Sequence, residues 1–558
     1  MLSIALVHGQ PAKSSIEGTV QNARNGEPIA GARVTLDANT VAATNVAVPA
    51  NALVPVASTD GQGRFVLRDV DPGQYRLVVQ SNGFTRTEYG QKIFPGKGTP
   101  IRLVAGEERK DISIALQPTG VISGRIFDSN GNPVPGVPVQ LAQSVYDAQG
   151  QHFLNMRFTT VSNDRGEYRF YYITPGAYIV GAGVLSGDPS SAIASFAAQQ
   201  FGHVYYPAVN NVDQATPVEI RPGAELNGID MRVPSGSGSY SIRGRLIDSR
   251  TGAPPPSANF SLNYRSVSRG GVMGMVTSEF PYDPKTGAFS YSRVSPGTYG
   301  VTATFQDAPA QGAAGARSVG ASYAASAIVR VVDSDVEGVL LRTPDTFSIG
   351  GQVNFEGPRP SQGVALVRIE PASNDPDELL FRQPSSVSSS PDGTFTVTRL
   401  VAGEYRVSVQ LGLLPGAYVK DARFGNADVW NQHLILSGAT DSKLEVTVSM
   451  KSAQIEGTVV DAKGQPAEPN PVVLVPEHNR ERTDLFRIGT VDRAGHFIIE
   501  NVAPGEYKLF AWEALEPFAY FDPALLTRYD EQASRIHLAE SGREHADVKI
   551  IPVYSSNP

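Results

Sequence analysis

Cysteine is absent from all 558 residues. Its absence removes disulfides, thiolate metal sites and cysteine nucleophiles together, and it suits a chain whose units are large enough to fold without covalent staples. Histidine is scarce, with 8 copies that are scattered along the chain and form no His-x-x-x-His pair, so a zinc site is not expected. A Gly-x-Ser-x-Gly elbow, a Ser-x-x-Lys pair and a phosphate-cradling Gly-x-x-x-x-Gly-Lys-Ser/Thr loop are all missing. No run of Lys or Arg occurs, and the net charge of -8 gives no footprint for nucleic acid or an anionic membrane surface. Apolar runs are short. None reaches the roughly 18 residues of a membrane-crossing helix.

What is present points to turn-rich β structure in several units. The length is several times that of one domain. Glycine (55) and proline (41) are abundant, while 41% of residues are apolar, enough for real cores. At the start, Met1 to Val7 is a short apolar run with no basic residue ahead of it. It reads as the tail of a signal peptide whose start lies upstream, the alternative being an ordinary frayed terminus.

One pattern recurs five times. Its strongest part is a turn, an aromatic residue and, ten residues later, a tyrosine behind a glycine. The pairs are Phe65 with Gly73-Gln74-Tyr75, Tyr168 with Gly176-Ala177-Tyr178, Phe289 with Gly297-Thr298-Tyr299, Phe395 with Gly403-Glu404-Tyr405, and Phe497 with Gly505-Glu506-Tyr507. The turns before the aromatics begin at Asp60, Asp164, Thr286, Asp392 and Asp492. Proline precedes the second glycine in every copy except the fourth, so a type II turn is expected there. After it the residues alternate, as in Tyr75, Leu77 and Val79 or Tyr507, Leu509 and Ala511, which predicts a half-buried strand. The tyrosine is then a core anchor, its hydroxyl bonded to nearby backbone as in the tyrosine corner of other sandwiches.

Upstream of each pair lies a strand with a central glycine (Gly18, Gly124, Gly244, Gly351 and Gly457) and then a turn ending in proline. A turn and an alternating strand close each copy, as in Asp111 to Leu116. The shared glycines recur about 106 to 120 residues apart, the size of one sandwich. These spacings predict five tandem antiparallel β-sandwich modules with very little helix, at 14–118, 119–236, 237–345, 346–452 and 453–558. Short helices are expected only after the cap Asp522-Pro523, through Tyr529, and over Ala192 to Phe201.

The pattern Gly-x-Val-x-Asp-x-x-Gly-x-Pro, then Asp-x-x-Gly-x-Phe and Pro-Gly-x-Tyr, resembles the carboxypeptidase regulatory-like domain, a transthyretin-like or starch-binding-like seven-stranded sandwich. The resemblance covers almost the whole chain. It implies accessory modules that flank peptidases, extend bacterial outer-membrane receptors into the periplasm, or stand in tandem on secreted proteins. No peptidase, receptor plug or membrane barrel accompanies them here.

Two constellations remain to be weighed. Asp333-Ser334-Asp335-Val336-Glu337-Gly338 begins like a calcium loop, but position twelve is Pro344 where a bidentate acid belongs, so a polar turn is the better reading. The aromatic residues Trp512, Trp430, Tyr171 and Tyr172 are candidates for stacking on sugar rings, with Tyr205 and Tyr206 assigned to packing. Trp512 leads, because alternation from Tyr507 turns it away from the buried face; Trp430 follows, beside Asn431-Gln432-His433. The expectation is therefore a non-catalytic protein without cofactors, secreted, periplasmic or on the cell surface, acting in adhesion, spacing or extracellular matrix. Polysaccharide binding is the first alternative and a head-to-tail filament the second, so the partners in view are a polysaccharide, a cell-surface protein or another copy of the chain.

Overall fold

The computed structural model describes residues 12–38, 55–94, 96, 98–183, 204–209, 214–233, 240–264, 275–276, 281–294, 297–306, 322–357, 365–373, 384–412, 414, 416–467, 471–492 and 494–552. The expectations for Met1 to Val7 and for a helix over Ala192 to Phe201 lie outside the described residues.

Each module is two packed sheets. In the first, the strand Ser14–Asn22 lies between Arg64–Val70, antiparallel to it, and Glu108–Leu116, parallel to it. The facing sheet sets Arg33–Ala38 between Val56–Ser58 and Gly73–Gln80, with Ile101–Leu103 beyond. The same central strand recurs as Gly120–Phe127, Tyr240–Ile247, Phe347–Glu356 and Ala453–Val460. In all five modules its second neighbour is parallel, a pairing that alternation within single strands could not disclose. Five separate cores result, running from Ile16 to Leu116, Ile122 to Val233, Ile242 to Leu341, Ile349 to Val448 and Ala453 to Val548. In the last module Arg487–Val491 pairs with strands of both layers and joins them into one eight-stranded sheet.

The recurring residues meet in space. A β-carbon added to Gly18, Gly124, Gly244 or Gly457 would lie 2.2, 2.0, 2.0 or 1.9 Å from a carbonyl oxygen of the neighbouring parallel strand or the turn before it. The repeated aromatic covers the same glycine: Phe65, Phe289 and Phe497 approach that position to 2.9, 2.6 and 3.1 Å, and Phe395 reaches 2.1 Å from Gly351. The glycine is thus a groove for the ring rather than a flexible joint. Tyrosine hydroxyls donate to the carbonyl four residues back, from Tyr75 to Asp71, Tyr178 to Thr174, Tyr405 to Val401 and Tyr507 to Ala503, at 2.8 to 2.9 Å. Burial raises the Tyr507 hydroxyl to about 12.

Two local expectations need correction. Gly176, Gly403 and Gly505 have φ of 149, 155 and 153°, far from the ~80° of a type II turn. These glycines start the strand itself, and in the last module the Tyr507 ring lies over the missing side chain. In the second module the turn is organised by Asn163, not Asp164: its Oδ1 accepts from the amides of Arg165 and Glu167, as the Oδ1 of Asp60 does from Gln62 and Arg64. Those backbone bonds hold the Asp60 carboxyl below its usual range.

Candidate functional site

The sequence candidates separate into a buried tryptophan, Trp512, a half-buried one, Trp430, and two exposed tyrosines. Trp512 is 2% exposed, which overturns the expectation that it faces solvent. Alternation placed it on the correct face: Tyr507, Leu509 and Ala511 enter the module core, while Phe510 and Trp512 point the other way. That outer face carries a second layer, formed by the segment after Trp512 and by the helix Pro523–Tyr529, whose Asp522 cap accepts from the Ala524 amide at 2.8 Å. The Trp512 indole stacks on Phe510 with ring centres 5.1 Å apart and meets the edge of Tyr529 at 6.1 Å. A signal for this was present. Val472–Pro476 and the end of Gly505–Ala511 read as unbroken apolar runs, the mark of strands covered on both faces.

A buried charge ties this layer down. Lys508 lies on the covered face and reaches Asp530 at 3.0 Å and Glu477 at 3.5 Å, and Arg480 reaches Asp530 at 2.8 Å. Burial pushes the Asp530 carboxyl upward, but the hydrogen bonds and charges of Arg480 and Lys508 outweigh it and hold the group below its usual range.

Trp430 is half-buried at the contact between the fourth and fifth modules. The Arg482 guanidinium sits 4.1 Å from its ring centre and donates to its carbonyl, while two bonds to Asp484 fix the guanidinium plane. One ring face that a sugar would need is therefore taken by a cation. Around it, Tyr418 donates to Glu540 at 2.9 Å and the Gly416 amide to Asn501 at 2.6 Å.

The fifth module also touches modules distant in sequence. The hairpin joining Pro138–Tyr146 to His152–Val161 reaches the segment before the helix: Tyr146 donates to Asp522 at 3.0 Å, and Gly150 packs on Phe521. Glu516 faces the same hairpin, its carboxyl raised by burial despite His152 and a Tyr146 backbone hydrogen bond. Lys92 of the first module pairs with Glu513 at 3.6 Å. The chain folds back on itself.

Tyr171 and Tyr172 remain on the surface, each 60% exposed. Tyr205 is buried in a small cluster with Ala142 and Leu154, and Tyr206 packs on the core of its module. In the calcium-like string, Asp335 accepts from the Ser241 amide at 2.8 Å, and Arg243 pairs with Asp335 and Glu337 at 3.5 and 2.5 Å. Those acids serve a turn. Among the described residues no group of three or more His, Asp or Glu side chains is arranged to hold a metal ion, and no helix is long and apolar enough to cross a membrane.

Residues 15–117 match the family model of the carboxypeptidase regulatory-like domain, so the resemblance read from the repeat is shown for the first module. No curated protein matches the chain. Among solved structures, the chain is similar to the minor pilin GBS52 of Streptococcus agalactiae at 14% identity and a TM-score of 0.22, over 40% of this chain and 96% of that one. A streptococcal ancillary pilin matches at 12% identity and a TM-score of 0.21, over 59% and 99%. The RrgB pilus protein of Streptococcus pneumoniae matches at 7% and 0.15, over 79% and 99%. Scores this low carry no argument about the role of this chain.

Proposed function

We propose that the chain is a non-catalytic binding scaffold that works outside the cytoplasm, in adhesion or in an extracellular matrix. One observation carries the reading: the recurring residues whose contacts are described are spent on architecture. The aromatic fills the groove over its glycine, the tyrosine hydroxyl closes on the backbone, and the turn carboxylates or amides hold backbone amides. Functional variety is then left to the outer faces and loops of a repeated frame. The contact of the fifth module with the second favours a compact body over an extended spacer, and it argues against an open head-to-tail string.

The boundaries at 118, 236, 345 and 452 belong to the same proposal. Residues 453–558 expressed alone should show a cooperative melt, and an unfolded far-ultraviolet spectrum would sink that division. The role itself is tested in the source organism. Externally added protease should degrade the chain on intact cells, and deleting its gene should weaken attachment or matrix cohesion. A chain protected from protease, or a purified protein with turnover abolished by one acid or histidine substitution, would overturn the proposal.

A further inference from the structure

A β-bulge recurs where the aromatic strand of each module ends. Opposite the central strand the register slips between Ser14 and Ile16, between Phe347 and Ile349, and between Ala453 and Ile455, and in the second module between Phe170 and Ile173. A bulge sets two residues against one and turns both toward the same side. The exposed pairs are Arg68 with Asp69, Thr398 with Arg399, Glu500 with Asn501, and, in the second module, Tyr171 with Tyr172. The second residue of each pair is left-handed, with φ of 57° at Asp69, 61° at Arg399, 58° at Asn501 and 60° at Tyr172. Asparagine and aspartate tolerate that region, whereas a bulky aromatic is an outlier in it. The second module thus places two large rings where its counterparts place polar side chains, and neither ring is used by the core. They meet edge to face with centres 6.0 Å apart.

The surface leading away from the rings is polar and electrically balanced. Arg169 pairs with Glu225 at 3.8 Å, Arg125 with Glu167 at 2.7 Å, and Ser123 donates to Asn227 at 2.6 Å. By the strand pairing of Glu167 with Arg125 and Arg169 with Ser123, these groups share one sheet face with Tyr171. We propose that this face of the second module binds a neutral polysaccharide, with Tyr171 and Tyr172 as stacking rings and Arg169, Ser123 and Asn227 as hydroxyl partners. The rings supply apolar area, the polar row supplies donors and acceptors, and the balanced charge selects a neutral chain over an acidic one. The inference rests on the reading of the chain as a binding scaffold, but on residues which that reading does not use.

Affinity electrophoresis of the full chain against soluble β-glucan, xylan and chitin fragments tests it, with an acidic polysaccharide as comparison. Wild type should be retarded by at least one neutral glycan, Tyr171→Ala and Tyr172→Asn should lose the retardation, and Tyr171→Phe should keep it. Tyr172→Asn removes the ring while installing a side chain already accommodated at Asn501, so it serves if the alanine variant fails to fold. No retardation by any neutral glycan, retardation that survives loss of the rings, or retardation by the acidic polysaccharide alone would overturn the site. None of these outcomes bears on protease access or attachment, so the scaffold reading is judged separately.

Discussion

The hydroxyl of Tyr146 donates a 3.0 Å hydrogen bond to Oδ2 of Asp522, joining residues 376 positions apart, while Oδ1 of the same carboxylate caps the helix Pro523–Tyr529. One side chain therefore both starts the helix that covers Trp512 and receives the second module. Tyr146→Phe removes only this hydrogen bond, leaving Gly150 packed on Phe521, and should cost about 1 kcal/mol. Asp522→Ala loses that bond and the cap, about 1 kcal/mol more. Denaturant melts of both variants and the double variant should show a coupling of about 1 kcal/mol; strictly additive effects would mean that the Tyr146–Asp522 bond contributes nothing to stability.

Two neighbouring glycines separate groove from surface. A β-carbon on Gly351 would lie 2.1 Å from Cζ of Phe395, whereas one on Gly350 meets no atom within 4 Å. Gly351→Ala should destabilise the fourth module by roughly 3 kcal/mol or more, and Gly350→Ala should change it by less than about 0.5 kcal/mol. Equal effects in urea melts would remove the packing argument for the repeated glycine.

Tyr405 is buried and bonded to the Val401 carbonyl at 2.8 Å. Tyr405→Ala should cost about 3 to 5 kcal/mol, and Tyr405→Phe, which keeps the ring, about 1 kcal/mol. Calorimetry should place both losses in one transition. A silent alanine variant would contradict the role of the ring as an anchor.

The sequence made the repeated frame legible because the same residues recur at the same spacings in five copies. The glycine, the aromatic and the tyrosine mark each copy and alternation sets the faces around Tyr507, while the fit of Phe497 over Gly457 appears only in the packing. Contacts between distant segments left no such trace. Parallel pairing of the first and last strands depends on residues some 90 positions apart, as between Gly18 and Ile112. Alternation gives Trp512 its correct face but not its environment, since exposure depends on what else covers that face. The polar neighbours of Trp430 in sequence do not reveal its actual partner, Arg482, which comes from the next module. Tyr171 and Tyr172 were legible as residue types, but the bulge that turns both outward appears only in the pairing.

Acid should loosen the outer layer of the fifth module. The Asp530 carboxyl is lower when folded than when unfolded, so it adds stability above its unfolded value of about 4 and loses that contribution as pH falls through the folded value. With Trp430→Phe, Trp512 is the one remaining tryptophan of the 2 in the chain. Its selectively excited emission should shift to the red on acidification below about pH 4, and Asp530→Asn should show a weakened layer already at neutral pH. An emission maximum unchanged down to the global acid transition would show that the ion pairs contribute nothing to the layer.

The absence of cysteine allows a direct test of the folded-back chain. A β-carbon on Gly150, whose φ of 74° strains any side chain, would lie 2.5 Å from that of Phe521 and 2.7 Å from its carbonyl carbon, so the hairpin tip must shift outward to reach the ~3.8 Å separation of a disulfide. The Gly150→Cys, Phe521→Cys double variant, oxidised at low protein concentration, should form one intramolecular disulfide, seen as a faster-migrating monomer and a peptide joining the two positions in mass spectra. Free thiols after oxidation, or disulfides only between molecules, would contradict the docking of the fifth module on the second.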